Sequence, residues 1–290
     1  MISIVICSKN PEHFDTVKKN IEVTIGVAYE IICIDNSIDK NSICSVYNKG
    51  ALKAKYELVC FLHEDIQFRS NNWGQIIINA FNEKEVGLMG VAGTYYYSLP
   101  PLGWFNTCEQ EVNVIHTPEP DKTSSKLLYQ SRFSKKNIVE VVAIDGVFMI
   151  TRKEILRTVR FDEEMLDNFH GYDIDLSLQI RQTHKIVVSK EVLLEHFSKS
   201  LLTQQWFDAL FKISRKWKNI LPTYIAIYTK KEIKKLNQES IWDFYFMSAA
   251  YLNKRKRLWL YFYYSSKLSA LPISIHRLLR YYFDRFVKNK

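Results

Sequence analysis

The stretch Leu58-Val59-Cys60-Phe61-Leu62-His63-Glu64-Asp65 decides how this chain folds. Five apolar residues predict a strand, and the run stops abruptly on an imidazole and two carboxylates. Upstream the same grammar occurs twice: Ile2–Cys7 runs into Ser8, and Ile31–Ile34 runs into Asp35. Helical patterns separate these runs. Asn10 and Pro11 open the first, with Phe14, Val17 and Ile21 on one face; Ile43, Val46, Tyr47, Ala51 and Ala54 carry the second. Strands joined by helical crossovers predict a parallel sheet, and in such sheets ligands bind beyond the carboxyl ends of the strands. Ser8, Asp35 and His63-Glu64-Asp65 are therefore expected to converge.

Downstream, a helix is expected at Trp73–Asn82 and a strand at Val86–Val91, then an aromatic loop from Gly93 to Asn106. Residues His116 to Asn137 are polar, with Pro118 and Pro120, and read as a surface excursion. Strand character returns at Ile138–Ile144. Asp145-Gly146 marks a turn or bulge before Val147–Ile150, and a short helix follows at Arg152–Thr158. Ile186–Val188 and Val192–Leu194 are the last strands, the second leading into Glu195-His196.

The 290 residues are 47% hydrophobic and 24% charged, which excludes disorder, collagen and coiled coil. The net charge of +9 is unevenly placed: residues 201–290 hold 18 Lys+Arg and 5 Asp+Glu, giving +13, and residues 1–200 carry −4. Two parts are expected, an α/β body over 1–200 and a helical, basic, aromatic extension over 201–290. In the extension Trp206, Leu210, Ile213 and Trp217 form one helical stripe, and Ile275, Leu278, Leu279, Tyr282 and Phe286 another. Lys254-Arg255-Lys256-Arg257 abuts Leu258-Trp259-Leu260-Tyr261-Phe262-Tyr263-Tyr264, a pairing that suits an anionic lipid interface. The N-terminus lacks the basic region and cleavage site of a signal peptide. Cys7, Cys33, Cys44, Cys60 and Cys108 have no metal-site spacing and read as reduced core residues of a cytosolic protein. The longest uncharged run, Val86 to Cys108, is broken by four Gly and a Pro-Pro pair, so no transmembrane helix is expected.

The acidic triplet suggests chemistry. Carboxylates facing a phosphate repel it unless a divalent cation lies between, and hard cations take oxygen from one or two carboxylates plus substrate phosphates. Glu64 and Asp65 thus point to a metal-diphosphate site, against the plain alternative of a solvated turn. His196, beside an acid at the end of a strand, can add an imidazole ligand. Gly171-Tyr172-Asp173-Ile174-Asp175 offers a base: in a strand Asp173 and Asp175 share a face, whereas in a helix only one serves the site. Asp173 reads as an N-cap, as a proton acceptor, or as both. Tyr95, Tyr96, Tyr97 and Trp104 are either an apolar platform for sugars or a packed loop.

The succession of Ile2–Asn10, Ile31–Ser37, Tyr47-Asn48-Lys49-Gly50-Ala51 and Phe61–Asp65 resembles family-2-type bacterial glycosyltransferases of the GT-A fold. So do Asp145–Ile150, Phe161-Asp162-Glu163, Gly171–Leu176 and Glu195-His196, in the same order. The resemblance covers about the first 200 residues. It implies a mixed, mainly parallel sheet flanked by helices, and an enzyme moving a sugar from a nucleotide-sugar donor, of the UDP class, to a glycan or lipid-linked hydroxyl. Ser8, Asp35, Asn48, Glu64 and Asp65 match donor-binding positions, Asp65 and His196 match ligands of Mn²⁺ or Mg²⁺, Asp173 matches the general base, and Trp104 and Tyr172 match acceptor positions. The reaction would invert the anomeric centre and serve bacterial surface polysaccharide synthesis, at the inner face of the membrane, with the basic tail on an anionic leaflet and no nucleic acid involved. Two departures stand out: the usual Asp-x-Asp is His63-Glu64-Asp65, which leaves the metal open, and the usual Glu before Asp173 is Tyr172. The rival readings are a sugar nucleotidyltransferase, which lacks its Gly-rich, Lys-bearing loop here, and a nucleic-acid-binding or scaffolding protein, which leaves the ordered acids unexplained.

Overall fold

The computed structural model describes residues 1–107, 109–118, 124–133, 135–198 and 202–269. The first strand, β1 (Ile2–Ser8), is buried along its whole length, and α1 (Pro11–Thr24) follows. Asn10 caps that helix by accepting from the Glu12 N–H, and Pro11 occupies the first turn, where a missing N–H costs nothing. Then come β2 (Tyr29–Asp35), α2 (Ile43–Lys53), β3 (Leu58–Leu62), β4 (Ile66–Phe68), α3 (Trp73–Ala80) and β5 (Val86–Gly90). The segment expected to be a loop after β5 instead forms β6 (Ala92–Thr94), β7 (Tyr96–Tyr97) and a 3₁₀ turn at Trp104–Asn106. Its tyrosines explain the difference. Tyr95, Tyr96 and Tyr97 are buried in the core, where β-prone rings outweigh the loop signal of nearby Gly and Pro.

Next are β8 (Gln110–Thr117), β9 (Lys126–Gln130), β10 (Ile138–Val141), β11 (Ala143–Ile144) and β12 (Phe148–Arg152). The expected surface excursion thus contains the end of β8 and all of β9, paired antiparallel with each other. The expected helix at 152–158 is a single 3₁₀ turn, Ile155–Arg157. The body ends with α4 (Tyr172–Ile180), β13 (Lys185–Ser189), β14 (Leu194–Phe197), α5 (Gln204–Lys216) and β15 (Thr223–Tyr224).

Seven strands form the main sheet in the order β10-β13-β5-β12-β3-β1-β2. It is mixed: β1 runs parallel to β2 and β3, and β13 parallel to β5, whereas β12 is antiparallel to both of its neighbours. Helix α2 packs close to β1, because Gly50 has no Cβ; one added there would stand 2.2 Å from a Val5 methyl. A second sheet, β11-β6-β8-β14-β4, sets β14 antiparallel to β4 and so lays His196 beside the acidic triplet.

The chain divides into two compact units, one of Met1–Tyr97 with Gly103–Ile225, the other of Ser98–Leu102 with the chain from Ala226. The resemblance stops near residue 200, but α5 lies inside the first unit, with Trp206, Phe207, Leu210 and Ile213 buried. The second unit contains α6 (Lys230–Met247) and α7 (Lys254–Lys267). Thr229 and Glu232 close a capping box at the start of α6. Trp242 and Phe244 of α6 pack on Tyr261 and Tyr264 of α7, at 5.0 and 5.4 Å between ring centres. Among the described residues no helix is long and apolar enough to cross a membrane. The stripe expected from Ile275 to Phe286 and Cys108 lie outside the described residues. Cys7, Cys44 and Cys60 are buried and unpaired; Cys33 departs from the expected core position, since β2 is an edge strand and leaves it exposed.

Candidate active site

The site is built where β3 ends. His63 follows Leu62 and donates its backbone N–H to Val147 O at 3.2 Å, which ties the triplet to the turn before β12. Two residues on, Asp65 O accepts from Phe197 N–H at 2.9 Å, and the register pairs His196 with Ile66, which sets His196 next to Asp65. His196 Nε2 lies 3.5 Å, and His63 Nδ1 3.8 Å, from the same Asp65 oxygen. One ligand atom from each of His63, Asp65 and His196 can be chosen so that all lie within 4.8 Å of one another.

The electrostatics follow from this crowding. Burial lowers the pKa of His63 and outweighs the pull of Asp65. For Asp65 burial acts upward, but His196 and His63 override it and hold the carboxyl below its ordinary range. Burial likewise opposes the charge on His196, and the Asp65 partner overrides it, raising that pKa. One carboxylate and two imidazoles offer oxygen and nitrogen together, a donor set that fits a divalent cation of the first transition row.

Asp173 joins the site through the Asp145-Gly146 turn. The chain is helical from Tyr172: Gly171, at φ +81°, is the N-cap that turns it into α4, and Asp173 stands in the first turn. Asp173 Oδ2 accepts from the Gly146 N–H at 3.0 Å. Burial, and then the neighbouring charge of Asp145, push its pKa up to about 7. Asp175, as a helix requires, points elsewhere: its buried carboxylate takes Lys216 Nζ at 2.8 Å and Trp217 Nε1 at 2.8 Å, locking α5 against α4.

Sequence reasoning missed two residues of the site. Asp145 accepts from Val147 N–H at 2.8 Å and from Trp104 Nε1 at 2.9 Å, and its charge reaches Asp173, His63 and His196. In the sequence it is an acid before Gly between two strands and the first residue of a segment shared with the resembling family, with no role attached to it. His63 was visible as the first member of the triplet, yet nothing in the spacing gave its ring a partner.

The other expected residues each have their own setting. Ser8 Oγ donates to Glu64 Oε2 at 2.8 Å, and the N–H groups of Lys9 and Asn10 point to the same carboxylate at 3.1 and 3.2 Å. Ser8 and Glu64 therefore shape the turn between β1 and α1. Both sides of the Asn48 amide serve the Phe161 backbone, accepting from its N–H at 3.1 Å and donating to its C=O at 2.9 Å, which clamps α2 to the acidic loop. Asp35 is exposed at the end of β2, its pKa held down by Ser37. Trp104 is partly exposed, with its indole N–H fixed by Asp145. Tyr172 is buried among Tyr47 and Phe161, and its hydroxyl lies 2.7 Å from His63 Nε2. The alternative of a packed segment holds for Tyr95, Tyr96 and Tyr97, whose burial removes them as a platform.

Against known proteins, residues 3–209 match the sequence profile described as "Glycosyltransferase like family". The chain belongs to this family. Among solved structures, that of S. aureus TarS 1-349 in complex with UDP-GlcNAc is 12% identical over 97% of this chain and 86% of that one, at a TM-score of 0.56. The same protein with UDP gives 12%, 97%, 86% and 0.54. GalNAc-T7 with UDP, GalNAc and Mn²⁺ gives 9% identity over 83% of this chain and 55% of that chain, at 0.49. No curated protein matches the chain by sequence. As a glycosyltransferase-like chain it has the expected GT-A-like α/β architecture, a mixed sheet flanked by helices with further helices at the C-terminal side.

Proposed function

We propose that this glycosyltransferase-like chain moves a sugar from a nucleotide-sugar donor of the UDP class to a hydroxyl of a glycan or lipid-linked acceptor, with inversion. The observation that carries the reading is the cluster of His63, Asp65 and His196, with the charge of Asp145 reaching both imidazoles and Asp173 tied to it through the Gly146 turn, although these residues lie up to 133 positions apart in the chain. Family membership and the UDP-GlcNAc in the TarS structure support the donor class.

Each residue has a part set by its place. Asp173, with a pKa of about 7, takes the proton from the acceptor hydroxyl as that oxygen attacks the anomeric carbon. A single displacement on that carbon inverts it. Asp65 and His196 would hold the Mn²⁺ or Mg²⁺, which when bound neutralises charge on the departing nucleoside diphosphate. Glu64 and Ser8 set the loop that faces the donor, and Asp35 stands at the strand end where the base would lie. Trp104, fixed by Asp145, presents a ring to the acceptor, and Tyr172 acts on the site through His63. Asn48 bears on donor binding through the loop it clamps.

The test is a panel of nucleotide sugars, with nucleoside diphosphate release as the readout. One donor is expected to turn over in the presence of Mn²⁺ or Mg²⁺, and Asp65→Ala is expected to lower kcat/KM at least about 100-fold, as removal of a metal ligand from the reacting centre does. Turnover of no donor, or unchanged transfer in both Asp65→Ala and Asp173→Ala, overturns the reading. Residues 254–290 complete it: a basic first turn and exposed Trp259 and Phe262 on α7 support contact with an anionic membrane surface at the inner face of the cell membrane, where lipid-linked acceptors would be met. The pathway proposed is surface polysaccharide synthesis in a bacterium.

A further inference from the structure

The His63 ring is held from both ends. Its Nε2 lies 2.7 Å from the Tyr172 hydroxyl and its Nδ1 3.8 Å from Asp65 Oδ1. The hydroxyl can reach the imidazole only because position 146 is glycine: a Cβ there would stand 2.2 Å from Tyr172 Oη. The tyrosine ring is itself wedged by Tyr47 and Phe161, at 5.8 and 6.2 Å between ring centres, so the oxygen has little freedom to leave. When His63 donates its Nε2 proton to Tyr172 Oη, Nδ1 keeps its lone pair, and this is the nitrogen that faces Asp65. His196 offers Nε2 to the same carboxylate oxygen.

We propose that His63 is a third protein ligand of the cation through Nδ1, that Tyr172 is a positioning residue which fixes the His63 tautomer and orientation, and that the resulting two-imidazole, one-carboxylate site prefers Mn²⁺ to Mg²⁺. This rests on the reading that a divalent cation works at Asp65 and His196. The physical ground is ligand type. Mg²⁺ demands oxygen ligands and gives up water reluctantly, whereas Mn²⁺ accepts imidazole nitrogen more readily. A hydrogen bond to the far nitrogen of a ligating histidine orients the ring and raises its basicity, and its loss typically costs about 10–100-fold in metal affinity.

Calorimetric titration of the full chain with MnCl₂ and with MgCl₂, without nucleotide, tests this. The wild type is expected to bind Mn²⁺ roughly tenfold or more tightly than Mg²⁺. Tyr172→Phe keeps the ring packing and removes the acceptor: Mn²⁺ affinity should fall about 10–100-fold while the metal-free melting temperature stays near wild type. His63→Ala should lose at least as much and bring the Mn²⁺ and Mg²⁺ affinities together. If His63→Ala fails to fold, His63→Asn, which retains a polar side chain, takes its place, with the same expectation. Equal affinity of the wild type for the two ions, or unchanged Mn²⁺ binding in the His63 variants or Tyr172→Phe, overturns the assignment. Its failure is distinct from that of the transfer reading. Sugar transfer that survives with His63 irrelevant to Mn²⁺ binding removes this inference alone, and Mn²⁺ selectivity that depends on His63 in a chain that turns over no donor upholds it while removing the transfer reading.

Discussion

Asp173 shows how much a single position can decide. It sits one residue after Tyr172 and accepts from the Gly146 N–H, while burial and the charge of Asp145 raise its pKa from 3.8 to about 7. Because the folded-state value lies above the unfolded one, the native state binds this proton more tightly. The stability from that proton is full below about pH 3.8, and is lost as pH rises through about 7. Asp173→Asn keeps an oxygen for Gly146 and removes the ionisation. The variant should therefore melt higher than the wild type at pH 8 in metal-free buffer, with the difference shrinking toward pH 5; a gap independent of pH in thermal melts counts against the raised value. Its kcat should fall about 10²–10⁴-fold, the usual contribution of a general base. In the wild type kcat/KM should rise with pH along a limb centred near 7, and what activity Asp173→Asn retains should lack that limb.

Among elements, the packing of α2 on β1 sets two magnitudes against each other. Replacing Gly by Ala inside an exposed helix gains about 1 kcal/mol. At Gly50 the added methyl would stand 2.2 Å from Val5 Cγ1 in a strand buried along its whole length, and overpacking of that kind costs about 1–3 kcal/mol. The clash should win. Gly50→Ala is expected to destabilise the chain by up to about 2 kcal/mol in denaturant unfolding, and Val5→Ala made together with it should cost clearly less than the sum of the two single changes. Additive costs would mean that helix and strand do not meet there. What could be read from sequence also divides by element. The first three strands, both helices between them and the strand-end acids were legible, since period and punctuation are local properties. The strands at Ala92–Thr94 and Tyr96–Tyr97 were not, because Gly, Pro and tyrosine clusters look alike in a loop and in a core. The partners of Asp145 and Tyr172 were illegible for a different reason: they arise from the sheet register that carries Gly146 over α4, which no local pattern encodes.

At the scale of the whole molecule the charge split acquires a surface. Residues 1–200 carry −4 and residues 201–290 carry +13, and α7 displays both the basic turn Lys254–Arg257 and an outward aromatic face. Its inner side, Leu260, Tyr261 and Tyr264, is buried; Trp259 and Phe262 remain 64% and 62% exposed, with Leu258 and Tyr263 beside them. These four positions follow helical spacing, so they form one ridge with cations at its N-terminal end. Cations at a helix N-terminus oppose the helix dipole, so this placement costs local stability, and contact with anionic headgroups would offset that cost. Each surface cation is worth about 1 kcal/mol near an anionic membrane, and the aromatic ridge adds apolar burial that salt does not screen. The two contributions should separate by experiment. In flotation with vesicles of mixed neutral and anionic lipid, Trp259→Ser with Phe262→Ser should weaken binding at both low and high salt. Replacing Lys254, Arg255 and Lys256 by Gln should weaken it chiefly at low salt. Binding that is indifferent to both sets, or equal on purely neutral vesicles, would leave the ridge without its lipid partner and return the +13 to a solvated surface.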